Sequence, residues 1–376
     1  MAQVLDLMQS YDMASVNDQF VADGVHTVSP TDTPLQIMLP KMQVSAVKAE
    51  WIEQSLTAKT TTLGAAITAS DTEITLAAGA ASDLFPGDTT YKVQIRIDRE
   101  VFLATANAAD NKLTVTPEYG GTTAAAHSNG ATVHIISEAD IEGMDAKKAA
   151  SPPRTRPFNY VQTFSKVIEN TRIQEKIKTL GGITSESDHD EFIAMKALAL
   201  DLEAQILHGV LSDTASGAGN ATNPRHMKGI FGSLLSAATS DSGSVSTTAI
   251  EADIQAIWDA GGVPRAIVGD GAMAQAIANL YSDRIRTDVQ TQVGGVNITS
   301  IINPLGEGPI AIIPHRLMVA GEYFMLDTTR IALGFISAFF EDEVESEASS
   351  IKTRIEGDYT LLLQNTTAHR YRYGFS

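Results

Sequence analysis

The chain has 376 residues, of which 43% are hydrophobic, and its 45 acidic and 27 basic residues give a formal net charge of −18. This length and apolar content predict about two to three folded domains, and the acidic balance argues against a nucleic-acid-binding surface, which needs clustered Lys and Arg. The absence of cysteine excludes disulfides and thiolate metal sites, and no apolar run is long enough to span a bilayer.

Residues 1–45 carry little periodic signal, and Pro30, Pro34 and Pro40 interrupt them. Such a segment does not fold alone and is typical of an extended arm that needs another surface. A frayed terminus is the alternative. The apolar residues between 35 and 39 favour a docked arm.

Residues 44–52 alternate in the way that a strand requires. Trp51, one of two tryptophans in the chain, lies in this stretch among charged residues. Partial burial in a core is the commoner position for such a side chain. The alternative is an interface anchor on an exposed ribbon, since tryptophan is enriched where proteins meet.

Residues 62–136 consist of six short β-rich pieces that are separated by turn-like sequences such as Pro86-Gly87-Asp88. Six strands in this length predict a compact sandwich or barrel. Strand-like sequence precedes this segment and continues after it, which indicates that the segment is an inserted domain. Its carboxylates are scattered at turns, where solvated acids are the norm, and they give little support to a catalytic interpretation.

A basic and aromatic run follows the predicted insert. It contains Arg154 and Arg156 and then alternates Phe158, Tyr160 and Phe164 with other residues. Interleaved cations and aromatics can bind single-stranded nucleic acid. In a chain this acidic, pairing with acidic groups on a neighbouring subunit is the favoured interpretation. The next stretch, residues 169–180, predicts a short helix that ends at Gly181.

Residues 187–208 predict one long amphipathic helix, because apolar residues recur at spacings of three and four. One predicted stripe contains Phe192, Met195 and Leu202. Ser187 is the predicted cap and Gly209 the predicted left-handed stop. A helix of about 33 Å is long for an enzyme and natural for a structural spine.

The rest of the chain predicts helices and strands in alternation. Residues 249–324 favour a small α/β unit with helices flanking a sheet, and residues 317–321 are taken as one of its strands. Residues 351–375 alternate like one long strand. The acidic run Glu341 to Glu347 is either a solvated face or a partner for basic groups.

No motif for catalysis, a nucleotide or a metal occurs in the sequence. His189, the one histidine crowded by carboxylates, is better explained by helix-end electrostatics than by metal binding. We therefore expect no enzyme activity, no cofactor, no metal site and no catalytic residue.

Several segments, taken in order, resemble one family. They are KAEWIEQSL (48–56), RTRPFNYVQTFSKVIENTRIQEKI (154–177), LALDLEAQIL (198–207), AIWDAGGVP (256–264), EYFMLDTTRIALG (322–334) and IEGDYTLLLQNTTAHRY (355–371). The ordered set resembles the major capsid proteins of tailed bacteriophages, whose Hong Kong 97 type fold is shared with herpesviruses. The short sequences PGD, IDRE and YGGTTAAAH make the insert similar to a β module that occurs in several phage structural proteins.

The resemblance implies an α+β capsid fold with a long spine helix, peripheral and axial domains, an N-terminal arm, an extended β-hairpin loop and a small inserted all-β domain. The expected domains are an arm (1–45), an extended loop (46–61 and 137–168), an insert (62–136), a peripheral domain (169–248 and 325–376, with spine helix 187–208) and an axial domain (249–324). Candidate inter-subunit contacts are Trp51, Arg154, Arg156, Phe158 and Tyr160.

The resemblance further implies self-assembly into hexamers and pentamers of an icosahedral virion head around double-stranded DNA, in the host cytoplasm. The partners that it implies are a separate scaffolding protein, because the arm begins near Met1, a portal, and a decoration or cement protein. Packaged DNA would be enclosed without sequence-specific binding, and no membrane is expected. The alternative is a secreted or surface β-module protein that binds polysaccharide.

Overall fold

The computed structural model describes residues 32–56, 58–77, 92–109, 111–139, 142–143, 154–177, 185–212, 217–281, 285–293, 296–305, 308–345 and 349–375, without the side chains of residues 107, 109, 285–293 and 296–299. The chain divides into two compact units. Unit 1 comprises residues 1–51 and 157–376, and unit 2 comprises residues 52–156. None of the helices in the described residues combines the length and the apolar character that a membrane span needs.

The helices of unit 1 in the described residues are α1 (Pro34–Met38), α2 (Glu186–His208), α3 (Ile230–Leu234), α4 (Thr247–Asp259) and α5 (Gly271–Leu280). Its strands are β1 (Lys41–Gln43), β2 (Lys48–Glu50), β9 (Phe158–Tyr160), β10 (Gln162–Thr171), β11 (Thr239–Gly243), β12 (Ala266–Gly269), β13 (Ile285–Val293), β14 (Val296–Ile302), β15 (Pro309–Pro314), β16 (Glu322–Leu326), β17 (Ile331–Val344), β18 (Ser350–Leu363) and β19 (Arg370–Phe375). Unit 2 contains β3 (Thr60–Thr62), β4 (Glu73–Thr75), β5 (Lys92–Ile97), β6 (Glu100–Ala109), β7 (Lys112–Thr116) and β8 (Thr132–Ala139).

Helix α2 and a four-stranded sheet form the first core of unit 1. The sheet has the order β1-β17-β18-β10, and β10 pairs antiparallel with β18 over ten residues. Leu198, Leu202 and Ile206 recur along one side of α2 and are buried in the same cluster as Leu361 of β18. Burial of these side chains, each contributing about 1.5–3 kcal/mol before chain entropy is counted, holds the helix in unit 1.

A seven-stranded sheet, with the order β11-β19-β16-β12-β15-β14-β13, forms the second core of unit 1. Strand β12 is buried at all four positions and pairs with β15 and β16. Helices α4 and α5 contribute Ile254 and Ile277 to the cluster on this sheet. The central position of β12 explains its uninterrupted apolar sequence.

Unit 2 is a closed six-stranded sheet, which agrees with the expectation of a sandwich or barrel. Its strand order is β3-β8-β5-β6-β7-β4, and all pairs are antiparallel. The two end strands meet, because Gly64 N donates to Thr75 O and Ala77 N donates to Thr62 O, both at 2.9 Å. Ile74, Ile95 and Leu113 fill the interior. Closure leaves no long unpaired edge.

The long helix forms as predicted, but its ends differ from the expectation. It begins one residue earlier, and the cap is Ser185, whose Oγ accepts from Asp188 N, rather than Ser187. Gly209 is not left-handed, since its φ is −56°. Glycine is needed there because a Cβ would lie 2.5 Å from Gln205 O and 2.7 Å from Met227 O.

The buried side of α2 also differs from the predicted stripe. Phe192 and Met195 are 54% and 40% exposed, whereas Ala194 and Leu198 are buried. Periodicity predicted the helix correctly, but it did not predict which side the sheet would cover, because Ala194 and Leu198 lie outside the predicted stripe. Leu202 belongs to both the predicted and the observed stripe.

Three local predictions are wrong. Residues 169–180 contain no α-helix where the structure describes them, because β10 continues to Thr171 through its pairing with β18, and only a 3-10 turn follows. Residues 317–321 form a turn in which Met318 N donates to His315 O. The predicted final strand is divided at Asn365, whose φ is +51°, so that β18 and β19 enter different sheets.

Candidate assembly surfaces

Strands β2 and β9 form an antiparallel ribbon in unit 1. The pairs are Lys48 with Tyr160, Ala49 with Asn159 and Glu50 with Phe158. Short strands of this kind are marginal by themselves, so a tertiary contact has to hold the ribbon. Asn159 supplies it from a position with 2% exposure.

The Asn159 amide is fully used. Its Nδ2 donates to Leu361 O at 2.6 Å and to Lys228 O at 2.8 Å, while its Oδ1 accepts from Lys228 N and Tyr160 N, both at 2.8 Å. Sequence reasoning did not single out this residue. Its position between two predicted aromatic contacts was the available signal, but its partners are 69 and 202 positions away.

The ribbon presents the predicted aromatic contacts unequally. Phe158 is 37% exposed, and Lys48 Nζ lies 4.3 Å from the centre of its ring. Tyr160 is buried, and its backbone oxygen accepts from Thr360 Oγ1 at 3.0 Å. Trp51 is partly buried, and its backbone N donates to Pro157 O at 3.2 Å. Phe158 therefore has the largest exposed fraction of these three residues.

The two predicted arginines are exposed on unit 2. They flank Thr155, which exchanges backbone hydrogen bonds of 3.0 and 2.9 Å with Glu53. Arg154 Nε donates to Gln54 Oε1 at 3.2 Å. Because Arg154 and Arg156 are two positions apart on extended chain, their side chains leave the same face about 6.8 Å apart.

An acidic strand end lies in unit 1. Glu341, Asp342 and Glu343 are exposed on β17. Strand β1 pairs with β17 only as far as Phe335, and within the described residues no other strand pairs with that side of β17 beyond it. The first part of the acidic run is therefore a solvated edge of the four-stranded sheet, while residues 346–348 lie outside the described residues.

Part of the predicted arm lies on unit 1 of its own chain. Leu35 of helix α1 and Leu39, which follows it, are buried in the core around α2, and β1 adds a parallel strand to β17. Residues 1–31 lie outside the described residues. Residues 34–43 are therefore docked within their own chain.

Solved structures show which class of protein has this fold. The chain aligns with the structure of Mycobacterium phage Bobi at a TM-score of 0.52 and 11% identity, covering 97% of this chain and 98% of that one. The capsid of an empty GTA particle gives 0.52 at 8% identity, covering 98% and 100%, and the capsid of Myoviridae phage XM1 gives 0.51 at 9% identity, covering 98% and 99%. No curated protein matches the chain. The fold is that of tailed-phage capsid subunits.

Sequence comparison identifies the particular family. Residues 8–371 match the family described as SU10 major capsid protein, so the chain belongs to that family. It is therefore a major capsid protein and a structural component of a phage virion that associates with copies of itself in a shell. This finding confirms the resemblance to tailed-phage capsid proteins and removes the polysaccharide-binding alternative.

Proposed function

We propose that this chain assembles as hexamers and pentamers of an icosahedral head that encloses double-stranded DNA. The family match over residues 8–371 is the observation that carries this proposal. Closed symmetric shells repeat the same contact many times, so modest contacts at one subunit are multiplied. The net charge of −18 suits a container that encloses DNA without sequence-specific binding.

We propose the following division of labour within the subunit. Residues 1–45 are an arm, 46–61 and 137–168 an extended loop, and 62–136 a small β domain inserted in the sequence of that loop. Residues 169–248 and 325–376 are a peripheral domain, and 249–324 are an axial domain. The closed sheet of unit 2, from β3 to β8, supports the separate β domain. No enzymatic activity is part of the proposal.

The proposed inter-subunit contacts are Trp51, Arg154, Arg156, Phe158 and Tyr160. The exposure of Phe158 and of both arginines supports contact with a neighbouring subunit. Tyr160, which is buried, would act by supporting Phe158, since the two rings meet edge to face at 5.6 Å. The arginines would contact acidic groups of the neighbouring subunit. Hydrogen bonds between a guanidinium and a carboxylate are about twice as strong as those between neutral groups.

The proposed partners during assembly are a separate scaffolding protein and a portal, with a decoration or cement protein on the finished head. These partners follow from the capsid family and not from a particular surface of this chain. Assembly would take place in the cytoplasm of the bacterial host.

The test is the double variant Arg154→Ala with Arg156→Ala, co-expressed with the scaffolding protein and examined by electron microscopy and sedimentation. We expect few shells and an accumulation of unassembled subunits with an unchanged melting temperature. The matched control is Arg96→Ala with Arg99→Ala, which removes two other exposed arginines of unit 2. Shells at the wild-type yield, or an equal loss in both double variants, would contradict the proposed role of the arginine pair.

A further inference from the structure

We propose that Glu203 is a positioning residue for assembly, because its buried carboxylate holds helix α1 and so fixes where the arm joins the body of the subunit. This inference rests on the proposed function, in which residues 1–45 are an arm that takes part in shell assembly. It concerns a residue in the C-terminal third of the long helix, which does not belong to the proposed contacts between subunits.

Glu203 is fully buried, with 0% exposure. Its Oε1 accepts from Leu35 N at 2.7 Å, and its Oε2 accepts from Gln36 N at 3.1 Å. These two N–H groups belong to the first turn of α1, which has no side-chain cap of its own. The carboxylate thus satisfies donors that the helix leaves unpaired, and it lies at the positive end of the helix dipole.

His315 completes the contact. Its Nε2 lies 3.0 Å from Glu203 Oε1, and its Nδ1 accepts from Leu317 N at 3.1 Å. Because Nδ1 is an acceptor, Nε2 carries the proton and donates to the carboxylate. Glu203 therefore receives three hydrogen bonds, from two segments of chain that are far apart in sequence. Hydrogen bonds to a carboxylate are about twice as strong as neutral ones.

Residues 32–44 have other attachments besides Glu203, among them the side chain of Gln36, which donates to Ala199 O. Helix α1 has five residues and could not persist alone. Strand β1 contributes three backbone pairs, and all its side chains are exposed. The Asp32–Arg316 ion pair is largely exposed on the arginine side and contributes little. Leu35 and Leu39 are buried, so their apolar packing and the Glu203 carboxylate hold the segment together.

Glu203→Gln tests the anchor in the full-length chain. The substitution keeps the size of the side chain but replaces one acceptor oxygen by an NH2 group that faces a donor. We expect amide hydrogen exchange at residues 34–43 to accelerate by about tenfold or more, with exchange in β12, β16 and β18 unchanged, and the yield of shells to fall. Asp201→Asn, an exposed position on the same helix with 59% side-chain exposure, is the matched control.

A tether separates positioning from a general structural role. The chain has no cysteine, and the side chain of Gln36 donates to Ala199 O, so Gln36→Cys with Ala199→Cys can be joined by a short bismaleimide. We expect this tether to restore both slow exchange and shell formation in the Glu203→Gln variant. The untreated triple variant is the control for the two cysteines.

Hydrogen exchange and shell yield together distinguish a wrong role for Glu203 from a wrong function for the arm. Unchanged exchange at residues 34–43, accelerated exchange throughout unit 1, or shells that the tether does not restore would each overturn the role of Glu203. Accelerated exchange with shells at the wild-type yield would overturn the proposed function of the arm, and the positioning role with it.

Discussion

Asn159 donates through Nδ2 to the backbone oxygen of Leu361 at 2.6 Å, and this hydrogen bond attaches the β2–β9 ribbon to β18. The same amide exchanges two further hydrogen bonds with the backbone of Lys228 at 2.8 Å. One buried side chain thus joins three segments of unit 1. The ribbon that carries Phe158 is held by this amide as well as by its own short ladder.

Asn159→Leu is expected to destabilise the unassembled subunit. The substitution keeps the approximate volume but leaves Leu361 O and the Lys228 backbone without partners, at a cost of about 1–3 kcal/mol for each buried group left unsatisfied. Equilibrium urea unfolding measures the change. Asn223→Leu, at an exposed position, is the control and should alter the free energy of unfolding by less than about 0.5 kcal/mol. Similar losses for the two variants would contradict the expectation.

Asp253→Asn should be among the most destabilising single substitutions in unit 1. Asp253 accepts from Arg372 Nε at 2.7 Å, from Arg372 Nη2 at 2.9 Å and from Tyr323 OH at 2.7 Å. The hydrogen bond to Asp253 raises the pKa of Arg372, and burial raises the pKa of Tyr323, so the arginine stays charged and the phenol neutral. Breaking such a buried pair costs about 3–5 kcal/mol.

Asp241→Asn is the matched control for this pair. Asp241 accepts one hydrogen bond from Arg372, at 3.0 Å from Nη1, and its side chain is 32% exposed. We expect Asp241→Asn to lower the free energy of unfolding by about 1 kcal/mol or less. Thermal unfolding of both variants at one salt concentration decides the point, and a larger loss for Asp241→Asn would contradict this account of the site.

We expect the folded subunit to lose stability in mild acid because of its buried histidine, His369. It has 0% exposure, Asp327 N donates to its Nδ1 at 3.2 Å, and burial lowers its pKa to about 4. A histidine that is harder to protonate when folded stabilises the protein above its ordinary pKa of about 6.5. This contribution, about 3 kcal/mol, is lost progressively as the pH falls from 6.5 towards 4.

The measurement is the melting temperature of the unassembled subunit between pH 4 and pH 8. His369→Asn retains an acceptor near the position of Nδ1 but cannot take up a proton, so its melting temperature should fall less between pH 6.5 and pH 4 than that of the wild type. His226→Asn, an exposed position, is the control and should follow the wild type. Parallel pH profiles for His369→Asn and the wild type would rule out His369 as the origin.

Glu100→Ala should loosen one side of the unit 2 barrel. Its buried carboxylate accepts from Ala125 N at 3.0 Å and Glu118 N at 3.3 Å, and it lies 3.1 Å from His127 Nε2. We expect faster amide hydrogen exchange between residues 118 and 127. The backbone N–H groups of Glu118 and Ala125 would lose their acceptor, and each buried donor left unpaired costs about 1–3 kcal/mol of stability. Glu73→Ala, with a half-exposed side chain paired to Lys112, should leave this segment unchanged. Unaltered exchange in Glu100→Ala would contradict the expectation.

The sequence by itself determined the parts whose signal is local. The spacing of apolar residues between 187 and 208 predicts the long helix, and alternation with turn residues between 62 and 136 predicts five of the six strands of unit 2, because both patterns follow from backbone geometry over a few residues. The sixth strand, β3, lies at Thr60–Thr62, mostly before the predicted stretch. The order of recognisable segments also indicated the capsid family, which the match over residues 8–371 confirms.

The tertiary structure decided everything that depends on distant residues. Which stripe of α2 is buried, where β10 ends and where the last strand divides are set by the neighbouring sheet, not by local propensity. The roles of Asn159 and Glu203 did not follow from the sequence, since their partners lie up to 202 and 168 positions away. A buried polar group takes its role from the donors and acceptors that folding brings to it, and these do not follow from its own neighbours in sequence.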